Sequence, residues 1–168
     1  MFIVLAGLPG VGKSTFAAAL ARRVDAVVLA VDEVEDALLG AGLPAGFTTG
    51  VAAYGVVERL AATQLGVGRS VVVDAVNDDP RAREQWHGLA SRAGVGARWV
   101  ELRLAPGDDH RHRLEARGRR YASLPEPAWA TLAARGDALE SWEGERVVLD
   151  AGLAVEALVE EALRALSV

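Results

Sequence analysis

The chain has no cysteine, which excludes disulfides, thiolate metal sites and thiol nucleophiles. It has a single methionine, a single lysine and only 5% aromatic residues among its 168 positions. No run of 18 apolar residues occurs, so no segment is expected to span a membrane. The first apolar run, Phe2 to Ala6, is short and lacks both a basic leader and a cleavage site, so it does not read as a signal peptide, and the cytoplasm is the expected location. The net charge of −5 argues against a broad nucleic-acid surface and leaves only a local basic patch open. What is present, 51% hydrophobic and 24% charged residues, is the composition of one globular domain spanning residues 1–168.

The basic residues are almost all arginine. Compositional bias explains the scarcity of lysine, but not the position of the only one, Lys13. Short apolar runs alternate with helical periodicities. Phe2–Ala6, 26–31, Ser70–Asp74, 98–104 and 146–150 read as strands. Phe16, Leu20 and Val24 share one helix face, as do Tyr54, Val57, Ala61 and Leu65. Asp79-Pro80 fits a helix N-cap and first position. Residues 40–50, with four glycines and a proline, read as a loop. Residues 108–120 read as a basic helix and 121–145 as a small helical insertion, which together form a candidate lid. The last helix runs from Val155 to Leu166. This alternation predicts an α/β fold, a parallel sheet covered by helices on both faces, with ligands beyond the carboxyl ends of the strands.

Gly7-Leu8-Pro9-Gly10-Val11-Gly12-Lys13-Ser14 matches G-x-x-x-x-G-K-[ST] in full, after a strand and before a helix. The glycines let the backbone wrap a polyphosphate, and successive N–H groups and the positive end of the helix dipole face the anion. In this reading Lys13 reaches the β- and γ-phosphates, the Ser14 hydroxyl ligates Mg²⁺ and Thr15 bonds the α-phosphate. The motif names a nucleoside triphosphate and no reaction. With no second lysine there is no N-K-x-D guanine motif, and the chain is too short for a ring-forming ATPase with its own helical domain.

Asp32 is expected at the end of the second strand, where a carboxylate could accept the proton of an attacking hydroxyl; the alternative is a helix cap followed by solvated acids at Glu33, Glu35 and Asp36. Asp74 closes an apolar strand and is the candidate Mg²⁺ partner of Ser14. Asn77 could reach the acceptor or simply make a turn. Residues 110–120 carry five arginines, of which Arg113 and Arg117 are four apart and could clamp a transferring phosphoryl group; a solvated face is the alternative. His110 and His112 are two apart and do not suit a metal site. The four tryptophans read as core or lid packing.

These residues resemble the small P-loop kinases of the chloramphenicol phosphotransferase, zeta toxin and polynucleotide kinase type, AAA-family ATP-binding proteins. The resemblance rests on Gly7–Thr15, Asp32, the run Leu65–Asp74, the Leu104-Ala105-Pro106 turn, Arg113, Arg117 and Val147–Gly152. It implies a three-layer P-loop fold with strand order 2-3-1-4-5, ATP and Mg²⁺ as cofactors, Asp32 as base and the segment after the fifth strand near adenine. Relatives acting on anionic acceptors often carry an arginine shortly after the second-strand aspartate; here the segment is Asp32-Glu33-Val34-Glu35-Asp36. The expected activity is therefore ATP-dependent phosphorylation of a hydroxyl on a neutral or cationic small molecule such as an antibiotic, sugar or nucleoside. A polynucleotide 5′-hydroxyl kinase and a non-transferring ATP-binding switch are the rival readings.

Overall fold

A computed structural model describes residues 1–104, 108–116 and 118–167. Five parallel strands form one sheet in the order β2-β3-β1-β4-β5, where β1 is Phe2–Ala6, β2 Ala26–Ala30, β3 Ser70–Asp74, β4 Ala97–Arg103 and β5 Val147–Asp150. β1 lies in the centre, with Phe2 opposite Val71 on one side and Ala97 on the other. All five of its residues are fully buried, as a strand without a polar position requires.

The pleat sends alternate β1 side chains into two cores. Phe2, Val4 and Ala6 pack with α3 (Phe47–Gly66) and α4 (Pro80–Arg92). Ile3 and Leu5 pack with α1 (Lys13–Val24) and α7 (Val155–Leu166). The result is the three-layer α/β P-loop architecture. α4 starts as its sequence dictates: the Asp79 side chain accepts the Arg81 N–H at 2.9 Å and Pro80 follows it.

Three boundaries differ from the sequence reading. β2 stops at Ala30 and α2 (Val31–Gly40) begins at once, so Asp32 lies in the first turn of a helix and not at a strand end. Apolar Val31 reads equally well as strand or buried helix face, which is why the pattern overran. The loop expected over 40–50 closes at Gly46, where α3 takes over. The basic helix, α5 (Asp108–Ala116), ends before Gly118, which has φ +66°, so Arg119 and Arg120 are not helical. Arg117 and the Ala105-Pro106 part of the expected turn lie outside the described residues. The insertion holds a short 3-10 turn, Trp129–Thr131, and α6 (Leu132–Glu140).

A buried ion cluster joins this insertion to the sheet. Glu101 on β4 is 2% exposed, and Arg103 Nε (2.9 Å) and Arg146 Nε (2.5 Å) donate to its two carboxylate oxygens. Arg146 lies over the Trp142 ring at 4.4 Å and donates to the carbonyls of Trp142 and Gly144. A buried carboxylate stripped of one partner is costly, whereas an exposed ion pair contributes little. Arg146→Ala is therefore expected to lower the unfolding free energy by about 3 kcal/mol or more in a denaturant titration. Arg23→Ala, which removes an exposed pair with Glu160, is expected to cost less than about 1 kcal/mol.

Candidate active site

The chain leaves β1 through Gly7, at φ +136°, directly beneath β4: a Cβ there would come within 2.4 Å of the Leu102 carbonyl oxygen. No residue but glycine fits. The loop re-enters helical geometry through Gly12, at φ +97°, and no side chain caps α1. The first turn of α1 thus turns the positive end of the helix dipole toward the loop. Lys13 is buried, and its Nζ donates to the carbonyls of Gly7 (2.8 Å) and Leu8 (3.1 Å), folding the ammonium over the loop. A cationic cradle of uncapped amides fits a polyphosphate.

Asp74, the last residue of β3, is buried and pairs in register with Ala30, the last of β2. Asp32 follows two residues after Ala30. Both carboxylates therefore lie at the carboxyl edge of adjacent strands, on the same end of the sheet as the loop. Asp32 has its pKa raised. Burial is the main cause and Asp74 adds to it, while Lys13, Arg135 and Arg120 pull the other way. Ser14 Oγ and Asp74 are hard oxygen donors of the kind Mg²⁺ takes. Among the described residues no group of three or more His, Asp or Glu could hold a metal ion, so protein ligands would have to be completed by phosphate and water, as Mg²⁺ sites commonly are.

The residues after β4 fold over this edge. Arg113 donates through Nη1 to the Ala151 carbonyl (3.0 Å), tying α5 to the segment after β5. His110 is buried, with Nε2 2.7 Å from the Pro9 carbonyl; a carbonyl can only accept, so the ring proton sits on Nε2. Arg120 donates through Nη1 to Ser14 Oγ at 2.6 Å and lies 4.0 Å from Glu33. Asp36 Oδ1 accepts the backbone N–H groups of Ser123 (2.6 Å) and Leu124 (2.8 Å), which hold its carboxyl below the usual range. On α6, Arg135 makes a two-point pair with Asp78, at 2.6 and 3.3 Å.

Together these contacts enclose a cavity of about 670 Å³ bounded by the phosphate loop at Pro9, by α2 at Asp32 and Glu35, by α3 at Phe47 and Tyr54 and by the insertion at Tyr121 and Arg135. The volume is that of a site for a drug-sized molecule. Burial raises the pKa of the Tyr54 phenol, and burial together with Asp32 pushes Tyr121 up to about 12, so both rings present neutral hydroxyls.

The structure thus brings Gly7, Leu8, Pro9, Gly10, Val11, Gly12, Lys13 and Ser14 to one end of the sheet with Asp32 and Asp74. Thr15 is exposed on the first turn of α1. Arg113 is turned to Ala151. Asn77 takes the turn reading: it has φ +55°, is fully buried, donates to the Leu5 carbonyl (2.6 Å) and accepts from Trp86 Nε1 (2.8 Å), leaving its side chain committed to the fold. Asp36 is not the solvated acid of the alternative reading, since it holds two backbone N–H groups. Arg120, Asp36, His110 and the Asp78–Arg135 pair carry no local signal as site residues, because each acts on a partner at least 57 positions away. The described arginines of the basic cluster each have a partner within the chain, Arg111 on Glu115 and Arg119 on the Tyr121 carbonyl among them.

An α/β sheet with a lysine-bearing, uncapped phosphate loop defines a P-loop nucleotide-binding protein. The model of the AAA_33 family, described as AAA domain, matches residues 2–139, and the chain belongs to that family. No curated protein matches with significance. Among solved structures the chain is similar to a sugar kinase from Janibacter sp. (20% identity, 99% of this chain and 94% of that one, TM-score 0.71). It is also similar to the Mycobacterium tuberculosis APS kinase CysC in complex with AMPPNP and APS (18%, 99% and 98%, TM-score 0.72). A third is the Deinococcus radiodurans tunicamycin resistance protein (19%, 98% and 95%, TM-score 0.71). At these identities the likeness concerns the fold. No helix among the described residues is long and apolar enough to cross a membrane.

The raised pKa of Asp32 has a thermodynamic sign. The folded state binds this proton more tightly than the unfolded chain does, so the contribution of this group to stability is fully present below about 4, the unfolded value, and is lost as pH rises through the raised folded one. Asp32→Asn is expected to raise the melting temperature of the nucleotide-free protein at neutral pH and to flatten this slope, read by thermal unfolding across pH.

Proposed function

We propose that the protein is an Mg²⁺-dependent ATP phosphotransferase that phosphorylates a hydroxyl group of a small molecule held in the 670 Å³ cavity. The observation that carries this reading is the position of Asp32. It lines the cavity and lies within the field of Lys13, so one carboxylate serves both the acceptor side and the phosphate side. The family and the fold support the donor half of the reading.

Asp32 accepts the hydroxyl proton as the acceptor oxygen bonds to the γ-phosphorus. The bond from that phosphorus to the β–γ bridging oxygen breaks, and ADP leaves. Burial makes Asp32 a stronger base than an exposed aspartate, which suits proton abstraction near neutral pH. Lys13 turns from the loop carbonyls to the phosphates. Arg120 already reaches the loop at Ser14, and with Arg113 and Arg117 it supplies cations against the charge that spreads over the transferring group. Ser14 and Asp74 would hold Mg²⁺, which when bound neutralises phosphate charge. Asp36 and His110 fasten the covering segment so that the site can be shielded from water. A cytoplasmic location goes with this reading.

Two variants test it. Lys13→Ala is expected to weaken Mg·ATP binding by tenfold or more in calorimetry, about 1.4 kcal/mol or greater. Asp32→Asn is expected to keep ATP affinity while lowering kcat for ADP formation with a hydroxyl acceptor by roughly 10²–10⁴-fold. Transfer at the parental rate by Asp32→Asn would remove Asp32 from the mechanism.

A further inference from the structure

The cavity walls select an occupant by charge, and the identity of that occupant as the acceptor rests on the phosphotransferase reading of the site. Two arginines line the cavity, and each already has a carboxylate partner. Arg135 is bound at two points by Asp78, and Arg81 lies 2.6 Å from Asp79, which also caps α4. Against these neutralised pairs stand Asp32 and Glu35, one helical turn apart on α2 and both in the cavity wall. Their charges oppose each other: the Glu35 carboxyl is raised first by burial and then by Asp32, with Arg135 only partly offsetting it. A cation placed beside them would relieve that repulsion, and a second anion would add to it.

The opposite wall is apolar and aromatic. Phe47, Val51 and Tyr54 succeed one another at i, i+4 and i+7 on α3. Phe47 is 71% and Val51 53% exposed, large apolar side chains left uncovered at the rim. Tyr121, in the insertion, also lines the cavity. The Phe47 ring already accepts a cation, the Arg81 guanidinium at 5.4 Å. A wall of this composition offers contact area to an apolar body and gives a sugar's ring of hydroxyls few partners.

We infer that the natural acceptor is a cationic amphiphile, a hydroxyl compound with an apolar or aromatic body and a protonated amine, the amine lying beside Glu35 and the hydroxyl beside Asp32. Acceptors whose recognition depends on a carboxylate, sulfate or phosphate are excluded by the same charges.

Three matched probes isolate the charge: 1-amino-3-(1-naphthyloxy)propan-2-ol, its N-acetyl derivative and 2-hydroxy-3-(1-naphthyloxy)propanoate. They share the aromatic body and the hydroxyl, and differ in carrying an ammonium, an amide or a carboxylate. Binding is read by calorimetry on the nucleotide-free protein, and ADP formation is read separately with Mg·ATP. The ammonium compound is expected to bind about 100-fold more tightly than the carboxylate, with the amide between. Glu35→Gln is expected to reduce that ratio roughly tenfold, and circular dichroism and melting would establish that the variant is folded. Equal or stronger binding of the carboxylate, failure of all three to bind, or a ratio unchanged in Glu35→Gln each overturns the inference. Charge-selective binding without ADP formation would leave the cavity's chemistry standing and overturn the transferase reading instead.

Discussion

The site depends on the positive end of one helix dipole, that of α1. The first turn of α1 has backbone N–H groups that no side chain caps, and the chain reaches that turn only because Gly7 can pass beneath the Leu102 carbonyl. The sole ammonium side chain is folded back onto carbonyls of the same loop. A polyphosphate would satisfy the amides and draw the ammonium off those carbonyls in one step. The charged groups around this point are arranged about that exchange. Asp32 and Asp74 stand at the carboxyl edge of the adjacent strands, and Arg120 comes down from the covering segment onto Ser14.

In the proposed reaction, stability and chemistry pull against each other at Asp32. Burial beside another carboxylate makes the folded state hold its proton more tightly, which disfavours the ionised form that a base needs. Lys13, Arg135 and Arg120 offset part of this. The sheet supplies the rest of the support: a fully apolar β1, clamped in register by β3 and β4, leaves the loop little room to shift. The Glu101 cluster ties the covering insertion to β4 through Arg146 and Trp142, so the cavity roof is anchored to the same rigid sheet as its floor. Rigid support on both sides is what holding a hydroxyl in line with a phosphate requires.

Much of this architecture is legible in the residues themselves. Strong periodicity specifies the two-sided sheet, because a parallel strand buried on both faces must be continuously apolar, as Phe2–Ala6 and Val71–Val73 are. The phosphate loop is legible because its chemistry is carried by backbone and by adjacent residues. Differences arise where local signals are ambiguous or short. Val31 extends the apolar run of β2 by one residue and so assigns Asp32 to the wrong element, and glycines around Gly50 hide the first turn of α3. Asn77 offers two roles, and its burial against Leu5 and Trp86 selects one.

The amino-acid sequence by itself determined the nucleotide half of the protein: the loop, its lysine and serine, and the strand that delivers Asp74. Each of these is specified by neighbours in the chain. The cavity beside it and the segment that covers it were decided by tertiary structure alone. Arg120 meets Ser14 across 106 positions, Ser123 meets Asp36 across 87, and Arg135 meets Asp78 across 57. Such pairings leave no local pattern, because the burial and charge that give each residue its role exist only once the insertion has folded over the sheet.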